Sequence, residues 1–432
     1  MKLYKVGVHS FLIKCFELAC CVLLYLLLCV GVKAQNQLNS PYSRFGVGDI
    51  SSRSAASIMS MGGTAFAFQS SSAVNYANPA AYIAYDSLSC LFDAAFSFKN
   101  HTLTAASTQK GATMLFDYVA FGISVRRWWK TSLGFQPYSS MNYTVIEPKS
   151  LDSNTYNILY TGRGGINEVY WGNAFRLFKN FSLGFNVSYL FGSYIRQRQV
   201  EWDSSDFFNS LISRNNHVNG VALNIGTQYF IPVKDKGEIG IGLVCTPPIP
   251  IFSKYNQEIV TYIGTADAVT YIDTIYPQTE SKQKHSMPLS IGGGLSWIKR
   301  DKYFVGMDVK WTNWSKYALD GQNDSLSDAL KFSIGANITP QATGKMYFSR
   351  VTYSLGVSYE LTHLKFNEQQ LAKYAISAGL FFPIKRSKTG IGMIFEYGSL
   401  GTTSNGLIKE DYFSITLNLR IHERWYQRIK YE

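Results

Sequence analysis

From residue 88 onward, large apolar side chains alternate with small or polar ones in segment after segment. In Phe181-Ser182-Leu183-Gly184-Phe185-Asn186-Val187-Ser188-Tyr189 every odd position is large and apolar and every even one is not. Phe413, Ile415, Leu417, Leu419 and Ile421 repeat the pattern, as do the stretches Val119–Val125, Val221–Ile231, Tyr303–Trp311 and Val351–Leu361. A period of two places alternate residues on opposite faces of a β-strand. Fourteen such segments fit between residues 88 and 422, the third near 130–146 and the seventh near 237–260. Connections such as Lys179-Asn180, Lys236-Gly237 and Lys299-Arg300 are short, whereas 147–163, 201–215, 261–282 and 319–327 read as long polar loops. Short turns at one end and long loops at the other are the asymmetry of an outer-membrane barrel.

The composition of the second face separates a membrane barrel from a soluble sandwich. A soluble sheet turns Lys, Glu and Thr toward water. Here that face carries Gly, Ser, Asn and Ala, as in Gly220, Ala222, Asn224 and Gly226, and charged residues make up 16% of the chain. Small residues suit a crowded lumen. Aromatic residues, at 15%, stand near expected strand ends (Trp128, Trp129, Trp202, Trp297, Trp311), where they meet lipid headgroups. The fold class is therefore all-β, a transmembrane antiparallel barrel of about 14 strands. Such a bore stays open unless something fills it.

Residues 35–87 have the character of that filling. Met61-Gly-Gly-Thr-Ala-Phe-Ala-Phe-Gln-Ser-Ser-Ser-Ala-Val-Asn-Tyr-Ala-Asn-Pro-Ala-Ala-Tyr82 combines paired glycines, a run of small hydroxylated residues and an Asn-Pro turn signal. It has too few long apolar side chains to form a core alone, so it needs walls around it. The expected organisation is a signal peptide at 1–34, a plug or hatch at 35–87, the barrel at 88–422 and a tail at 423–432.

The signal peptide is read from Lys2, Lys5 and Lys14, the short apolar run Ala19–Val32 and a small-residue site ending at Ala34. A retained N-terminal anchor is the alternative. Four of six cysteines fall in that segment, leaving Cys90 and Cys245 as one disulfide or two sheltered thiols. Removing its four lysines and one glutamate takes the formal net charge from +12 to +9. That balance suits acidic surfaces such as lipopolysaccharide, while export makes nucleic acid an implausible partner.

With the hatch residues in view, the chain resembles the FadL/TodX family of outer-membrane transporters for fatty acids and other hydrophobic compounds. The resemblance rests on Met61-Gly62-Gly63-Thr64-Ala65, on Asn75-Tyr76-Ala77-Asn78-Pro79-Ala80 and on the strand pattern that follows. It implies a hydrophobic molecule that enters from outside, a hatch that shifts, and sideways exit at a kinked third strand. By that resemblance Gly62, Gly63, Asn78, Pro79 and Ala80 form the hatch turn or gate. Pro137, in Gly134-Phe135-Gln136-Pro137-Tyr138, marks the lateral-opening kink, since proline cannot donate to the ladder. Its simpler reading is an ordinary bulge near the rim. For Asn78-Pro79 that reading is a tight turn, and for Gly62-Gly63 close packing. Thr246-Pro247-Pro248-Ile249-Pro250 reads as the exit of the seventh strand into an extracellular segment, with a second wall gap as the alternative. Arg126-Arg127-Trp128-Trp129-Lys130 reads as an interfacial turn with its basic residues at phosphate level.

Chemical signatures are missing. No H-E-x-x-H, G-x-S-x-G or P-loop occurs, and His101, His217, His285, His363 and His422 are scattered. No catalytic residue, metal or cofactor is expected. The expected partners are outer-membrane lipids and a hydrophobic small molecule. A secretion-system protein is the alternative, in which the barrel serves as a scaffold in secretion or surface assembly, and a simple porin is third.

Overall fold

The computed structural model describes residues 40–424 apart from 52–53, 205, 234–236, 266–267, 301, 318–325, 367 and 385–386. The expected signal peptide, the start of the plug, most of loop 319–327 and the tail from residue 425 lie outside the described residues.

The wall is a closed antiparallel barrel of fourteen strands. In order these are β1 (Ser89–Thr104), β2 (Thr108–Arg126), β3 (Trp129–Leu151), β4 (Asn154–Phe178), β5 (Phe181–Trp202) and β6 (Asn209–Val233). Next come β7, in two segments (Gly237–Thr246 and Ile249–Thr265), and β8, also in two (Ala268–Met287 and Ser290–Lys299). The remainder are β9 (Tyr303–Thr312), β10 (Ala329–Ile338), β11 (Thr352–Phe366), β12 (Gln369–Pro383), β13 (Gly390–Leu400) and β14 (Lys409–Arg424). Closure is made by β14 on β1, from Lys409 opposite Thr104 to Arg424 opposite Ser89. Closing the sheet pairs backbone groups that hydrocarbon would leave unsatisfied.

The alternation sorts as its period demands. Val305, Met307, Val309, Ile334, Leu355 and Ile376 point outward and are exposed, whereas Asn186, Ser188, Gln228, Asp308, Ser333, Ser377 and Asn418 point inward and are buried. An exposed apolar belt over a polar interior inverts a soluble protein and needs lipid around it.

Three expected loops are strands instead. β3 and β4 run to Leu151 and Asn154 with a turn of Asp152-Ser153, β6 begins at Asn209, and β7 and β8 extend to Thr265 and Ala268. These hairpin tips carry irregular mixtures such as Glu147-Pro148-Lys149-Ser150, without the regular alternation of the segments below them, and so read as loops. The Pro247-Pro248 break is likewise no exit from the wall. β7 continues beyond it, pairing with β6 on both sides, at Cys245 opposite Ile225 and at Ile251 opposite Gly220. At the other end Arg126, Arg127 and Trp128 are exposed at the β2–β3 turn, but Lys130 is buried and bonds Ser124 inside the barrel. Cys90 and Cys245 are both free thiols.

The described residues between 40 and 88 lie against the inner face of strands around the barrel. A short helix α1 (Ala56–Met59) and a 3-10 turn (Pro79–Ala84) are their main regular elements. Among the described residues, more than a dozen hydrogen bonds join residues 56–82 to the wall. The strongest set is at Asp308, whose Oδ2 accepts the Ala65 and Phe66 amides at 2.6 and 2.8 Å. Between these bonds Ile58, Met61, Phe66, Phe68, Tyr76, Tyr82 and Tyr85 form a buried core with Tyr118, Tyr170, Phe230 and Phe304 of the wall.

Asp308→Ala is expected to strand two buried amides and destabilise this part of the plug by about 2–4 kcal/mol. Hydrogen exchange of residues 61–68 checks this; unchanged protection refutes it. A second anchor is Asp86, whose carboxylate lies 3.1 Å from His422 Nε2 and 2.7 Å from Lys388 Nζ. His422 first, then Lys388, hold its pKa at about 2, below the usual 3.8. A lowered folded pKa stabilises above the unfolded value, so this contribution is lost as the pH falls from 3.8 toward 2. Asp86→Asn is expected to reduce the difference in melting temperature between neutral and acid pH; an identical acid loss in both proteins refutes the assignment.

Candidate functional site: a forked wall and the chamber behind it

β2 and β3 do not stay together. Their pairing runs from Arg126 opposite Trp129 only to Val119 opposite Phe135, after which β2 continues to Thr108 on β1 alone and β3 continues to Leu151 on β4. Phe116 and Phe135 pack at the fork, their rings tilted by 31° with centroids 5.6 Å apart. Pro137 sits just beyond it. The register against β4 slips between Pro137 and Ser139, so the proline marks a bulge where the strand turns away from β2.

The free edge of β3 is covered from inside. Asp49 and Ile50 pair with Ser140 and Ser139, Ser51 donates its amide to Tyr138 O at 3.1 Å and its hydroxyl to Pro137 O at 2.6 Å, and Ser139 Oγ donates to Val47 O at 2.8 Å. This strap occupies the place that β2 leaves. Gly48 makes it possible: its φ is +98°, and a Cβ there would stand 2.5 Å from the Ser140 carbonyl oxygen. Beyond the strap Tyr42 donates to Ile408 O at 2.7 Å and Arg196 donates to Gly46 O at 2.7 Å, fixing its outer part near the long-hairpin end.

The strap also borders a chamber of about 230 Å³ between the plug and the long-hairpin end. One side is apolar, with Tyr138, Leu190, Ala222, Ile249, Met287 and Trp314. The other is charged. Lys310, Lys331, Glu360 and Lys373 face one another in sequence across β9 to β12, with Glu396 beyond them. A cavity lined this way can hold an apolar body at one wall and a polar group at the other.

Gly62 and Gly63 lie at the chamber floor. Gly62 has φ +66°, packs on the Val357 backbone and donates to Ser377 Oγ at 2.9 Å; Gly63 has φ +89°, with Lys331 Nζ 3.2 Å from where its Cβ would be. Asn78 caps the Pro79–Ala84 turn by accepting from the Ala80 amide at 3.1 Å, and its Nδ2 donates to Phe66 O at 2.6 Å and Thr227 O at 3.2 Å. Pro79 and Ala80 fill the space over Gly184, and Asn78 that over Gly226. The structure therefore does not bring Asn78, Pro79 and Ala80 to Pro137. Gly184 is opposite Ala174, and Ala174 opposite Lys130, so the turn sits seven residues down β3 from Pro137, roughly 23 Å along the strand. The residues beside Pro137 are 47–51, which sequence reasoning missed; the closely spaced Gly46 and Gly48 were the available signal.

A family model matches residues 13–432, almost the whole chain. The chain belongs to the BamG family. By sequence, no curated protein matches it. The fold of this BamG-family chain is that of the FadL/TodX channels. The Pseudomonas putida toluene transporter TodX is similar at 12% identity, covering 88% of this chain and all of that one, with a TM-score of 0.56. A Pseudomonas aeruginosa FadL homologue, also at 12%, covers 86% of this chain and 98% of the other with a TM-score of 0.57. The CymD monoaromatic hydrocarbon channel gives 12%, 87%, 98% and 0.57 for the same measures.

Gly48→Val is expected to release the strap from β3. A spin label at residue 50 reports it as a gain in mobility; a label that stays immobile refutes the close approach as the reason for glycine.

Proposed function

We propose that this chain is an outer-membrane channel for hydrophobic small molecules, long-chain fatty acids among the candidates, and that its cargo leaves sideways through the fork between β2 and β3. The observation that carries the reading is the chamber, whose apolar side ends at Tyr138 and the strap, directly inside the unpaired edge of β3. A molecule leaving there passes from an apolar wall to lipid without crossing water. Resemblance in fold to channels named for toluene and monoaromatic hydrocarbons supports the class of cargo.

Magnitudes decide which part of the hatch moves. At about 1 kcal/mol per net hydrogen bond, freeing the plug from the wall costs ~10 kcal/mol before any core is exposed. The strap is held to β3 by a two-residue pairing and three further hydrogen bonds, so its release costs only a few kcal/mol. Opening accordingly involves residues 47–51, while Gly62, Gly63 and the Asn78-Pro79-Ala80 turn stay seated.

The same firm seat favours a second reading. A plug that does not move as a whole suits a barrel acting as a scaffold or partner in protein secretion or surface assembly. Native mass spectrometry of the protein extracted from its own membrane separates the two: bound lipid or hydrocarbon supports transport, and a stoichiometric protein with an empty chamber supports the scaffold.

The direct test locks the strap. Ile50 and Ser139 face each other, so Ile50→Cys with Ser139→Cys, in a protein whose Cys90 and Cys245 are serine, is placed for a disulfide. Oxidation is expected to slow uptake of a labelled fatty acid or toluene into loaded vesicles about tenfold or more, with recovery on reduction. Equal uptake by the locked and open forms overturns the lateral route.

A further inference from the structure

The short-turn end of the barrel holds a second cavity, of about 560 Å³, on the opposite side of the plug from the chamber. Its cationic side chains are Lys299, Arg300, Lys302, Arg350, Lys388 and Arg420; among its described lining residues the one carboxylate is Asp86, which pairs with Lys388, while Arg300 pairs with Glu238 beside the cavity. Such a cleft, walled by plug and barrel and dominated by one sign of charge, concentrates potential and draws in anions.

The cations are held in place. Lys299 and Lys302 flank the β8–β9 turn, which the Thr339 amide fastens to the end of β10 by a 2.7 Å bond to Lys302 O. Arg350 belongs to the 339–351 connection, the longest at this end, which is closed on itself by Gln341 donating to Ser349 O at 2.7 Å. Arg420 is 93% buried, with its guanidinium over the Phe381 ring at 4.3 Å. Its Nε has no hydrogen-bond acceptor, and Asp93 approaches only to 3.7 Å. Burying an arginine costs energy unless its donors are met. This one lines the cavity.

We infer that the vestibule at the short-turn end is a docking site for an extended acidic segment of another polypeptide. The cations come from four separate elements: the β8–β9 turn, the 339–351 connection, the β12–β13 connection and β14. A spread of this kind matches several carboxylates along a chain rather than one point anion. Between them lie Ile298, Phe304, Phe381 and Ile394, so acidic side chains at the rim can alternate with apolar ones in the floor. The 339–351 connection also carries Met346 and Phe348, 75% and 72% exposed and among the most exposed large apolar side chains described. In the orientation that short turns give an outer-membrane barrel, the partner approaches from the periplasm. The site is separate from the lateral route, and locking the strap leaves it unchanged.

The test uses the full-length protein in nanodiscs and a fluorescein-labelled peptide of alternating glutamate and leucine, with a lysine–leucine peptide for comparison, read by anisotropy. The acidic peptide is expected to bind, and more weakly as salt rises. Lys299→Glu with Lys302→Glu, both on an exposed turn, is expected to weaken it about tenfold, while Lys110→Glu with Lys149→Glu at the long-hairpin end leaves it within about twofold. The proposal is overturned if both charge-reversed proteins bind as the parent does, if both weaken equally, or if the lysine–leucine peptide binds as well. Full displacement of the peptide by inorganic phosphate also overturns it, by making the cavity a site for a small anion.

Discussion

The structure depends on close approach of two backbones. A fourteen-stranded barrel is too wide for its own side chains to fill, and its inner face does not try to fill it. Gly242, Gly335 and Gly356 on the wall leave room for the main chain of Phe66, Met61 and Gly62. A Cβ at any of these would occupy space held by plug backbone. Once the plug lies that close, its amides and carbonyls need partners from the wall, and Asp308, Gln228, Asn186 and Ser296 supply them. The inner face is thus small where the plug backbone arrives and polar where its hydrogen bonds end.

That arrangement divides the interior. Below the plug is a cationic vestibule, and above it a chamber with one apolar and one charged wall. The plug core between them is seated by side chains from many strands, so no small displacement frees it. The strap of residues 47–51 is different. It touches the wall at the edge of a single strand, where β2 has left, and this makes it the weak point of an otherwise firmly packed assembly.

The wall also shows how a membrane barrel carries irregularity. Proline interrupts β3 at Pro137, β7 at Pro247-Pro248 and β8 at Pro288. At β7 both flanking strands stay paired across the break, β8 in unchanged register and β6 with a slip of one residue, and the sheet stays closed. At β3 the neighbour on one side departs, and the freed edge is met by chain from within the lumen. The same residue type therefore yields a kink in one place and a fork in another, according to whether the adjacent strand can follow.

The period-two alternation by itself determined the fourteen strands, their inward and outward faces and the membrane setting, because the bilayer and the lumen impose opposite demands on alternate residues. It failed at the tips of β3 to β8, which extend past the bilayer, so that no lipid imposes alternation on their outer face. The small-residue stretch from Met61 to Tyr82 announced turns and tight packing, and Pro137 announced a defect in the ladder. What filled that defect was decided only in three dimensions. Whether a strand edge is free depends on a neighbour distant in sequence, and here the segment that meets it, Val47 to Ser51, has no composition that marks it as a strand. The distance between Asn78 and Pro137 is likewise a property of register across β3, β4 and β5, which no local pattern encodes. The alternation of charged residues around the chamber follows from the same cause: Lys310, Lys331, Glu360 and Lys373 lie on four strands and become neighbours only when the sheet forms.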